Sequence, residues 1–205
     1  MEIIVIAHSK GGTGKSTIIW NLAHFIKSLR KKLIIIDLDF QQTQYYLNEI
    51  RKSISLDSIE VIRPQSTSEL INILETSKGD YILIDVGGYD NDINRTAISW
   101  ADKIIVPLSD SVTDVLGFKT FENILKEIQN PFINIVLNNI HPLTKNFDTI
   151  KKAIGDNENI KLLNSIIRTR KIYKTSMGNG KSVFDTTHEL AQKEIMELYH
   201  ELNSH

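Results

Sequence analysis

The sequence predicts an α/β fold in which a twisted, mostly parallel β-sheet carries helices on both faces. Short apolar runs alternate along the chain with longer segments of helical periodicity, the pattern of repeated strand–helix units. The runs are apolar at nearly every position, as expected for strands covered on both faces. The 205 residues match the length of one α/β domain and contain no repeat or linker-like tract, so a single domain over 1–205 is expected.

Strand and helix candidates alternate in order along the chain. The strands are predicted at 3–8, 33–37, 59–62, 81–86, 103–108, 133–138 and 160–164. The helices are predicted at 16–31, 42–52, 67–77, 91–101, 111–129, 145–154 and 187–202. Ser66 and Glu69 have the spacing of a capping box at the start of the third helix.

Composition excludes several classes of protein. The formal net charge is −1, so any nucleic-acid binding has to come from a local basic patch. The chain has no cysteine, which excludes disulfides and thiolate-bound metal or cluster sites and favours a reducing, cytoplasmic setting. No apolar run approaches the roughly 20 residues of a membrane span, and the N-terminus lacks a signal-peptide pattern. A cytoplasmic protein without a membrane partner is expected.

The segment HSKGGTGKST, residues 8–17, contains the most specific motif of the chain. It follows a predicted strand, opens a predicted helix, and fits the phosphate-binding pattern G-x-x-x-x-G-K-[ST] from Gly14 onward, with Ser9 in place of the first glycine. Backbone N–H groups can wrap around a phosphate where Cβ atoms are absent, at a helix N-terminus. The loop residues predicted to bind nucleotide in this way are Gly11, Gly12, Thr13 and Gly14.

The three residues that follow the loop are those that polarise and hold a nucleoside triphosphate. Lys15 would reach the β- and γ-phosphates, the hydroxyl of Ser16 would bind Mg²⁺, and Thr17 would contact the α-phosphate. A glycine-rich turn that merely starts a helix is the alternative, and the order of strand, loop and helix argues against it. The sequence therefore predicts a P-loop NTPase.

Two further predicted strands end in carboxylates. Asp37 ends LIIID and is followed by Asp39, and Asp85 ends YILID. Because parallel strands bring their C-terminal ends to one edge of the sheet, the three carboxylates are expected to converge on the phosphates and on Mg²⁺.

Several segments carry a resemblance to a known family. SKGGTGKST resembles the deviant phosphate loop of the ParA/MinD family of ATPases, whose signature is K-G-G-x-G-K-[ST]. DLDFQQ is similar to that family's D-x-D-P-Q segment, with Phe40 in place of the proline, and DVGG lies where the family has D-x-P-P or D-x-x-G. A looser likeness, over IIRTRKIYKTSMGNGKSVFD, is to small plasmid-partition ATPases of the ParF type.

The resemblance implies roles for individual residues. Lys10 is expected to cross a dimer interface and contact the phosphates of the partner's ATP, so that ATP holds a homodimer together. Asp39 is implied to position the attacking water, Asp37 to support Mg²⁺, and Asp85 to orient the water shell of the metal.

The resemblance also implies roles at two more loops. Gly88 would offer its N–H to the γ-phosphate, in an ordering switch. Asn138 and Asn139 would lie near the adenine, although an ordinary Asn turn after a strand is an equal alternative.

A basic stretch, residues 168–181, contains no acidic residue. It would be either a solvated surface or a sequence-independent contact for DNA phosphates, and the resemblance to partition ATPases favours DNA. Its basic residues are Arg168, Arg170, Lys171, Lys174 and Lys181.

The prediction is therefore a partition ATPase for DNA segregation that uses ATP and Mg²⁺ and dimerises with ATP. Its ATP dimer would bind DNA non-specifically, associate with the nucleoid and be stimulated by a centromere-binding protein of the ParB or ParG kind. One alternative is a related positioning ATPase for another cargo. Others are a small-molecule phosphotransferase, which has no use for Lys10, and a non-catalytic binding module, which the aspartates argue against.

Overall fold

The computed structural model describes residues 1–128, 132–155 and 157–204. Seven strands lie within these residues: β1 (Glu2–Ile6), β2 (Leu33–Asp37), β3 (Glu60–Ile62), β4 (Tyr81–Asp85), β5 (Lys103–Leu108), β6 (Ile133–Ile140) and β7 (Ile160–Arg168). The α-helices of the same ranges are α1 (Lys15–Ser28), α2 (Thr43–Ser53), α3 (Thr67–Thr76), α4 (Asp92–Ser99), α5 (Val112–Ile128), α6 (Asp148–Ile154), α7 (Lys171–Met177) and α8 (Glu189–Asn203). A 3₁₀ turn at Val183–Asp185 precedes α8.

The strands form one parallel sheet in the order β3-β2-β4-β1-β5-β6-β7. The register sets Asp37 beside Asp85 on neighbouring strands, and Asp85 beside Ile6 at the end of β1. The loop between β1 and α1 therefore starts at the same edge at which the two aspartates lie. The predicted fold class is confirmed, and the sheet is parallel throughout these pairs.

Helices cover both faces of the sheet. Ile18 and Leu22 of α1 pack with Ile195 and Leu198 of α8 against one face. On the other face, α3 to α6 pack through a second cluster that includes Leu70, Ala97, Phe118 and Ile150. Burial of these apolar side chains on two faces explains why the strands have nearly continuous apolar sequences. In the described ranges, no helix combines the length and apolar character that a membrane crossing requires.

The structure moves several predicted boundaries. Helix α1 ends at Ser28 rather than at residue 31, because Arg30 adopts a left-handed backbone with φ 60°. Strand β1 ends at Ile6, two residues earlier than predicted, where the loop toward α1 begins. The predicted end of the fifth helix, residue 129, lies outside the described residues.

The largest difference from the prediction lies near the C-terminus. Strand β7 continues to Arg168 rather than ending at residue 164, and the unpredicted helix α7 follows at once. Alternate residues of this strand are buried, including Ser165, so its polar and basic positions hid the strand pattern. Helix α7 buries only Tyr173 and Ser176, which is too short a stripe for periodicity to show.

A buried ion pair anchors the C-terminal end of α2. Arg51 donates to Asp185 through both terminal nitrogens, at 2.7 and 3.0 Å, and to the carbonyl of Gly180 at 3.2 Å. Burial alone would raise the pKa of Asp185, but hydrogen bonds from Arg51 and Ser182 outweigh burial and lower that pKa to about 2. The bidentate pair therefore holds the segment before α8 against α2.

Replacing Arg51 by Met is expected to lower the free energy of unfolding at pH 7 by about 3 kcal/mol, because Asp185 would keep its burial and lose its partner. The folded pKa of Asp185 lies below the ~3.9 of an unfolded aspartate. The loss should therefore be complete above pH 5 and shrink as the pH falls toward 2. Urea unfolding at several pH values measures it.

The matched control is Lys52→Met, at the adjacent position, whose partner Glu49 is exposed. That change should cost less than about 1 kcal/mol. Equal stability of Arg51→Met and the parent at pH 7 would contradict the anchoring role.

Candidate nucleotide site

An open cavity of about 660 Å³ lies at the C-terminal edge of the sheet, in front of the loop between β1 and α1. Three segments and one residue of α7 line it: Gly11, Gly12, Gly14, Lys15, Ser16, Thr17, Asp39, Phe40, Gln41, Thr43, Gly88, Tyr89 and Met177. These segments follow β1, β2 and β4, three adjacent strands of the sheet. The structure thus brings together the loop, one of the three carboxylates and the glycine that the sequence predicted to meet.

The backbone of the loop depends on glycine at position 14. Gly14 has a left-handed φ of 92°, and a Cβ built there would lie 2.2 Å from Nδ2 of Asn138. That amide donates to the carbonyl of Thr13 at 2.6 Å and so braces the loop from β6. Any larger residue at position 14 would displace this brace.

Lys15 is buried at the start of α1. Its ammonium donates to the carbonyls of Lys10 at 3.1 Å and His8 at 3.4 Å. Burial lowers the pKa of Lys15, and the charges of Asp85 and Asp39 partly oppose this effect. An anion entering the cavity would supply the negative charge that a buried ammonium needs.

The two aspartates that end β2 and β4 are buried under the loop. Asp85 is completely buried, which raises its pKa to about 7, with hydrogen bonds from Gln44 and Ser16 acting in the opposite direction. Burial also raises the pKa of Asp37, although its carboxylate accepts the backbone N–H groups of Asp39 and Tyr45. Of the two carboxylates, that of Asp85 has an oxygen, Oδ1, without a donor in the described structure.

Asp39 and the loops on either side of the cavity are more exposed. The carboxylate of Asp39 lines the cavity and accepts the N–H of Gln41 at 2.9 Å. Phe40, which replaces the expected proline, is 64% exposed, and its ring centroid lies 6.2 Å from that of Tyr89. This contact joins the loop after β2 to the loop after β4 across the cavity mouth.

Gly88 lies against the phosphate loop. A Cβ at this position would be 3.3 Å from the nitrogen of Gly11 and 3.3 Å from the carbonyl oxygen of Ser9. A glycine therefore permits the backbone after β4 to approach the loop closely. The position agrees with the predicted contact at the phosphate end of the cavity.

Lys10 directly precedes the glycines of the loop, and its side chain contacts α5. Its ammonium pairs with Asp114 and donates to the hydroxyl of Thr113 at 2.8 Å. The side chain is 40% exposed. Its backbone N–H donates to Nδ1 of His8, whose pKa is lowered to about 4, first by burial and then by Lys15. A neutral imidazole can accept this hydrogen bond without adding positive charge between the two lysines.

A second cavity of about 370 Å³ adjoins the first and shares residues with it. Asn138 and Asn139 line it, together with Arg168, Arg170, Tyr173, Lys174, Met177 and residues of the phosphate loop. Asn138 is buried and braces Thr13, whereas Asn139 is exposed and accepts a hydrogen bond from the hydroxyl of Thr169. Both asparagines therefore lie beside a space that continues from the phosphate cavity.

Two of the five basic residues predicted to contact DNA have partners within the fold. Arg168 donates to the carbonyls of His141 at 3.1 Å and Thr144 at 2.8 Å. Arg170 forms an ion pair with Glu194 of α8 at 2.7 Å, and this contact raises the arginine's pKa. Lys171, Lys174 and Lys181 are exposed. The predicted patch is therefore narrower than the sequence indicated.

Gln44 is the site residue that the sequence reasoning missed. It is completely buried in the first turn of α2, and its amide donates to Asp85 at 2.7 Å and to the carbonyl of Ser16 at 3.0 Å. The signal was available: the inward face of α2 carries Gln44, Leu47, Asn48 and Arg51, at positions spaced like a core stripe. Polar residues at such positions need partners, and here one partner is the site.

The donor set around the cavity limits how a metal could bind. In the part of the chain that the structure describes, no three His, Asp or Glu side chains are grouped closely enough to hold a metal ion by themselves. Mg²⁺ commonly binds through one or two protein oxygens together with phosphates and retained water. Ser16 and the two buried aspartates fit that mode of binding.

Comparison with known proteins agrees with this geometry. The family model described as ATPase MipZ matches residues 2–133. A search of curated protein sequences finds no match. Among solved structures, a plasmid partition protein of Borrelia burgdorferi bound to AMPPNP is 18% identical over 97% of this chain and 98% of its own, with a TM-score of 0.72.

Two further structures have the same fold over nearly their whole length. A variant of McdA from Cyanothece in complex with ATP is 18% identical, with 100% of this chain and 97% of its own covered and a TM-score of 0.73. MinD from Pyrococcus horikoshii with Mg-ADP is 16% identical, with 99% and 96% covered and a TM-score of 0.72. The family model spans more than half of the chain. The chain therefore belongs to the MipZ family of ATPases, with the fold of the ParA/MinD partition and positioning proteins.

Proposed function

We propose that this ATPase binds Mg-ATP, dimerises in the ATP state and acts in DNA segregation, binding DNA non-specifically as the dimer. The observation that carries the proposal is the cavity in which Lys15, Asp39 and the glycine loop meet, with a second lysine, Lys10, directly before the loop. A phosphate loop with two lysines matches a nucleotide that is shared between two protomers.

ATP fits the two adjoining cavities. The loop and Lys15 would hold the phosphates in the larger cavity, where helix α1 also directs its N-terminus. The base would lie in the smaller cavity beside Asn138 and Asn139, and Met177 lines the boundary between the two. The arginines that line this second cavity are fixed by Glu194 and by backbone carbonyls, so its wall is set before nucleotide arrives.

Mg²⁺ fits the residues beneath the phosphates. Asp85 has one carboxylate oxygen, Oδ1, that is buried without a hydrogen-bond partner in the described structure. Ser16 would bind the ion directly, and Asp37 and Asp85 would hold it from below. The ion would neutralise charge on the phosphates, and Asp39 would orient the attacking water at the cavity mouth.

Dimerisation would use the surface around Lys10, whose side chain is partly exposed beside α5. Val112 and Leu116, on the same helix as the lysine's partner Asp114, are 68% and 62% exposed. Exposed apolar side chains beside a functional lysine are suited to a contact with a second copy. Lys10 would leave Asp114 and reach the phosphates bound by the partner subunit.

The cargo decides between partition and another positioning role. DNA contact would rest on Lys171, Lys174 and Lys181, with a centromere-binding protein as the stimulating partner. The intramolecular partners of Arg168 and Arg170 favour a second candidate, an ATPase that positions a protein cargo. Both candidates use the same nucleotide site, and DNA binding separates them.

Lys15→Ala should weaken ATP binding by about 10- to 100-fold, the effect of losing charged hydrogen bonds of ~1.5–3 kcal/mol. Asp39→Ala should retain ATP binding and lower turnover by at least about 100-fold. Fluorescent-nucleotide binding and phosphate release measure the two effects. Asp110→Ala, at an exposed carboxylate after β5, is the control. Parental turnover in Asp39→Ala would remove this residue from catalysis.

Lys10→Ala should stay monomeric with ATP, because no other residue of the loop would deliver a second cation across the interface. Light scattering in an Asp39→Ala background, in which ATP persists, should show a dimer for the parent sequence and a monomer for the double variant. Lys119→Ala, at an α5 lysine that pairs with Glu122, is the control and should still dimerise. An ATP-dependent dimer without Lys10 would show that this lysine does not bridge the protomers.

Lys171→Ala combined with Lys181→Ala should weaken ATP-dependent DNA binding roughly tenfold or more. It should also lower the salt slope by about 0.9 for each lost phosphate contact. Two patches on one dimer act with high effective concentration, so binding should require ATP. Lys31→Ala with Lys78→Ala, two exposed lysines at the opposite edge of the sheet, is the matched control. Absence of any ATP-dependent DNA binding in the parent would favour a protein cargo instead.

A further inference from the structure

The carboxamide of Gln44 has one orientation that its surroundings permit. Its Nε2 donates to Oδ2 of Asp85 at 2.7 Å and to the carbonyl of Ser16 at 3.0 Å. Both partners accept hydrogen bonds, so the amino group has to face them and the flipped amide is excluded. The oxygen Oε1 is therefore assigned by chemistry, and it has no hydrogen-bond partner in the described structure.

Two buried hydrogen-bond acceptors thus lie on two side chains that are hydrogen-bonded to each other. Oε1 of Gln44 and Oδ1 of Asp85 both lack a donor, and both residues are completely buried. Native proteins satisfy nearly all buried polar atoms, with ordered water where no protein group is available. No described protein group donates to either of these two acceptors. Because the amide of Gln44 bridges Asp85 and the carbonyl of Ser16, both acceptors lie on residues that join the side chains proposed to hold Mg²⁺.

Hydrated Mg²⁺ is a source of such donors. The ion keeps several water molecules when it binds with phosphates, and those molecules donate hydrogen bonds to nearby oxygens. The described residues offer no cluster of three ligating side chains, so most of the ion's oxygens would be water or phosphate. Two unpartnered acceptors beside Ser16 match the outer side of this shell.

We propose that Gln44 is a positioning residue for Mg²⁺: its Oε1, together with Oδ1 of Asp85, accepts hydrogen bonds from water molecules retained by the ion. The inference rests on the proposed Mg-ATP site and adds a residue to it. Because Gln44 lies in the first turn of α2, ion binding would also stabilise the start of this helix. The loop that lines the cavity, residues 39–42, immediately precedes that turn.

Two substitutions separate the role of Oε1 as a hydrogen-bond acceptor from the role of Nε2 in joining Asp85 to Ser16. Gln44→Met has a similar size and removes both the donor and the acceptor. Gln44→Glu keeps the acceptor, and because an oxygen replaces Nε2 between two acceptors, its carboxyl group is protonated and donates one hydrogen bond instead of two. The measurement is the dissociation constant of a fluorescent ADP analogue in EDTA and in Mg²⁺. The ratio of the value in EDTA to the value in Mg²⁺ gives the gain in nucleotide affinity that the ion supplies. Gln65→Met, at an exposed glutamine before α3 that donates to a local carbonyl, is the matched control.

Gln44→Met should lower this ratio by about 10- to 100-fold, the usual effect of losing an outer-shell partner. Its affinity in EDTA should stay within about twofold of the parent, because the phosphate loop is unchanged. Gln44→Glu should keep the parental ratio, since its protonated carboxyl donates to Asp85 in the place of Nε2 and its carbonyl oxygen still accepts from the ion's water. Gln65→Met should match the parent.

Each outcome has a distinct meaning. A parental ratio in Gln44→Met overturns the inference. An equal loss in the Met and Glu variants also overturns it, because the bridge to Ser16 would then be the whole role of Gln44. If Gln44→Met does not fold, a reduced ratio in Gln44→Glu is the result that overturns it. A parent whose ADP affinity does not depend on Mg²⁺ would instead contradict the metal part of the proposed function.

Discussion

The parallel alignment of β1, β2 and β4 forces opposite charges into one buried place. Asp37 and Asp85 end neighbouring strands in register, and the loop from β1 carries Lys15 above them. Burial raises the pKa of both aspartates and lowers that of the lysine, so each charged form is poorly stabilised without a ligand. A triphosphate with Mg²⁺ would supply the missing charges of both signs. The affinity of the site therefore follows from the way the sheet is assembled.

Helix α2 links this cluster to the C-terminal part of the chain. At its first turn Gln44 contacts Asp85 and Ser16, and two turns later Arg51 holds Asp185 and the carbonyl of Gly180. The segment held in this way follows α7, whose Met177 lines both cavities. The helix thus contacts Asp85 under the phosphate loop and also the segment after α7, beside the smaller cavity. A ligand that favours one arrangement of α2 would act on both regions at once.

In the basic stretch near the C-terminus, two arginines are bound by other groups of the same fold. Arg168 and Arg170 are part of the wall of the smaller cavity, since their guanidinium groups are bound to carbonyls and to Glu194. Half-buried arginines whose guanidinium groups are bound in this way stabilise the packing and shape of the wall rather than contact a distant phosphate. Lys171, Lys174 and Lys181 remain exposed.

Local sequence determined much of this protein. The apolar runs and helical stripes predicted the parallel sheet with two covered faces, and the loop motif with the strand-ending aspartates predicted where the candidate nucleotide site lies. These patterns depend on nearest neighbours in the sequence and on the rule that parallel strands end at one edge of the sheet. Other features required the tertiary structure. Lys10 binds Asp114, which lies 104 positions away in the sequence. Arg170 pairs with a glutamate of the last helix, and Gln44 donates to Asp85, which ends the strand beside β2 and lies 41 positions away in the sequence. A buried polar side chain needs a hydrogen-bond partner, and its position in a sequence pattern can indicate this need. Which group becomes the partner is decided by the packed fold.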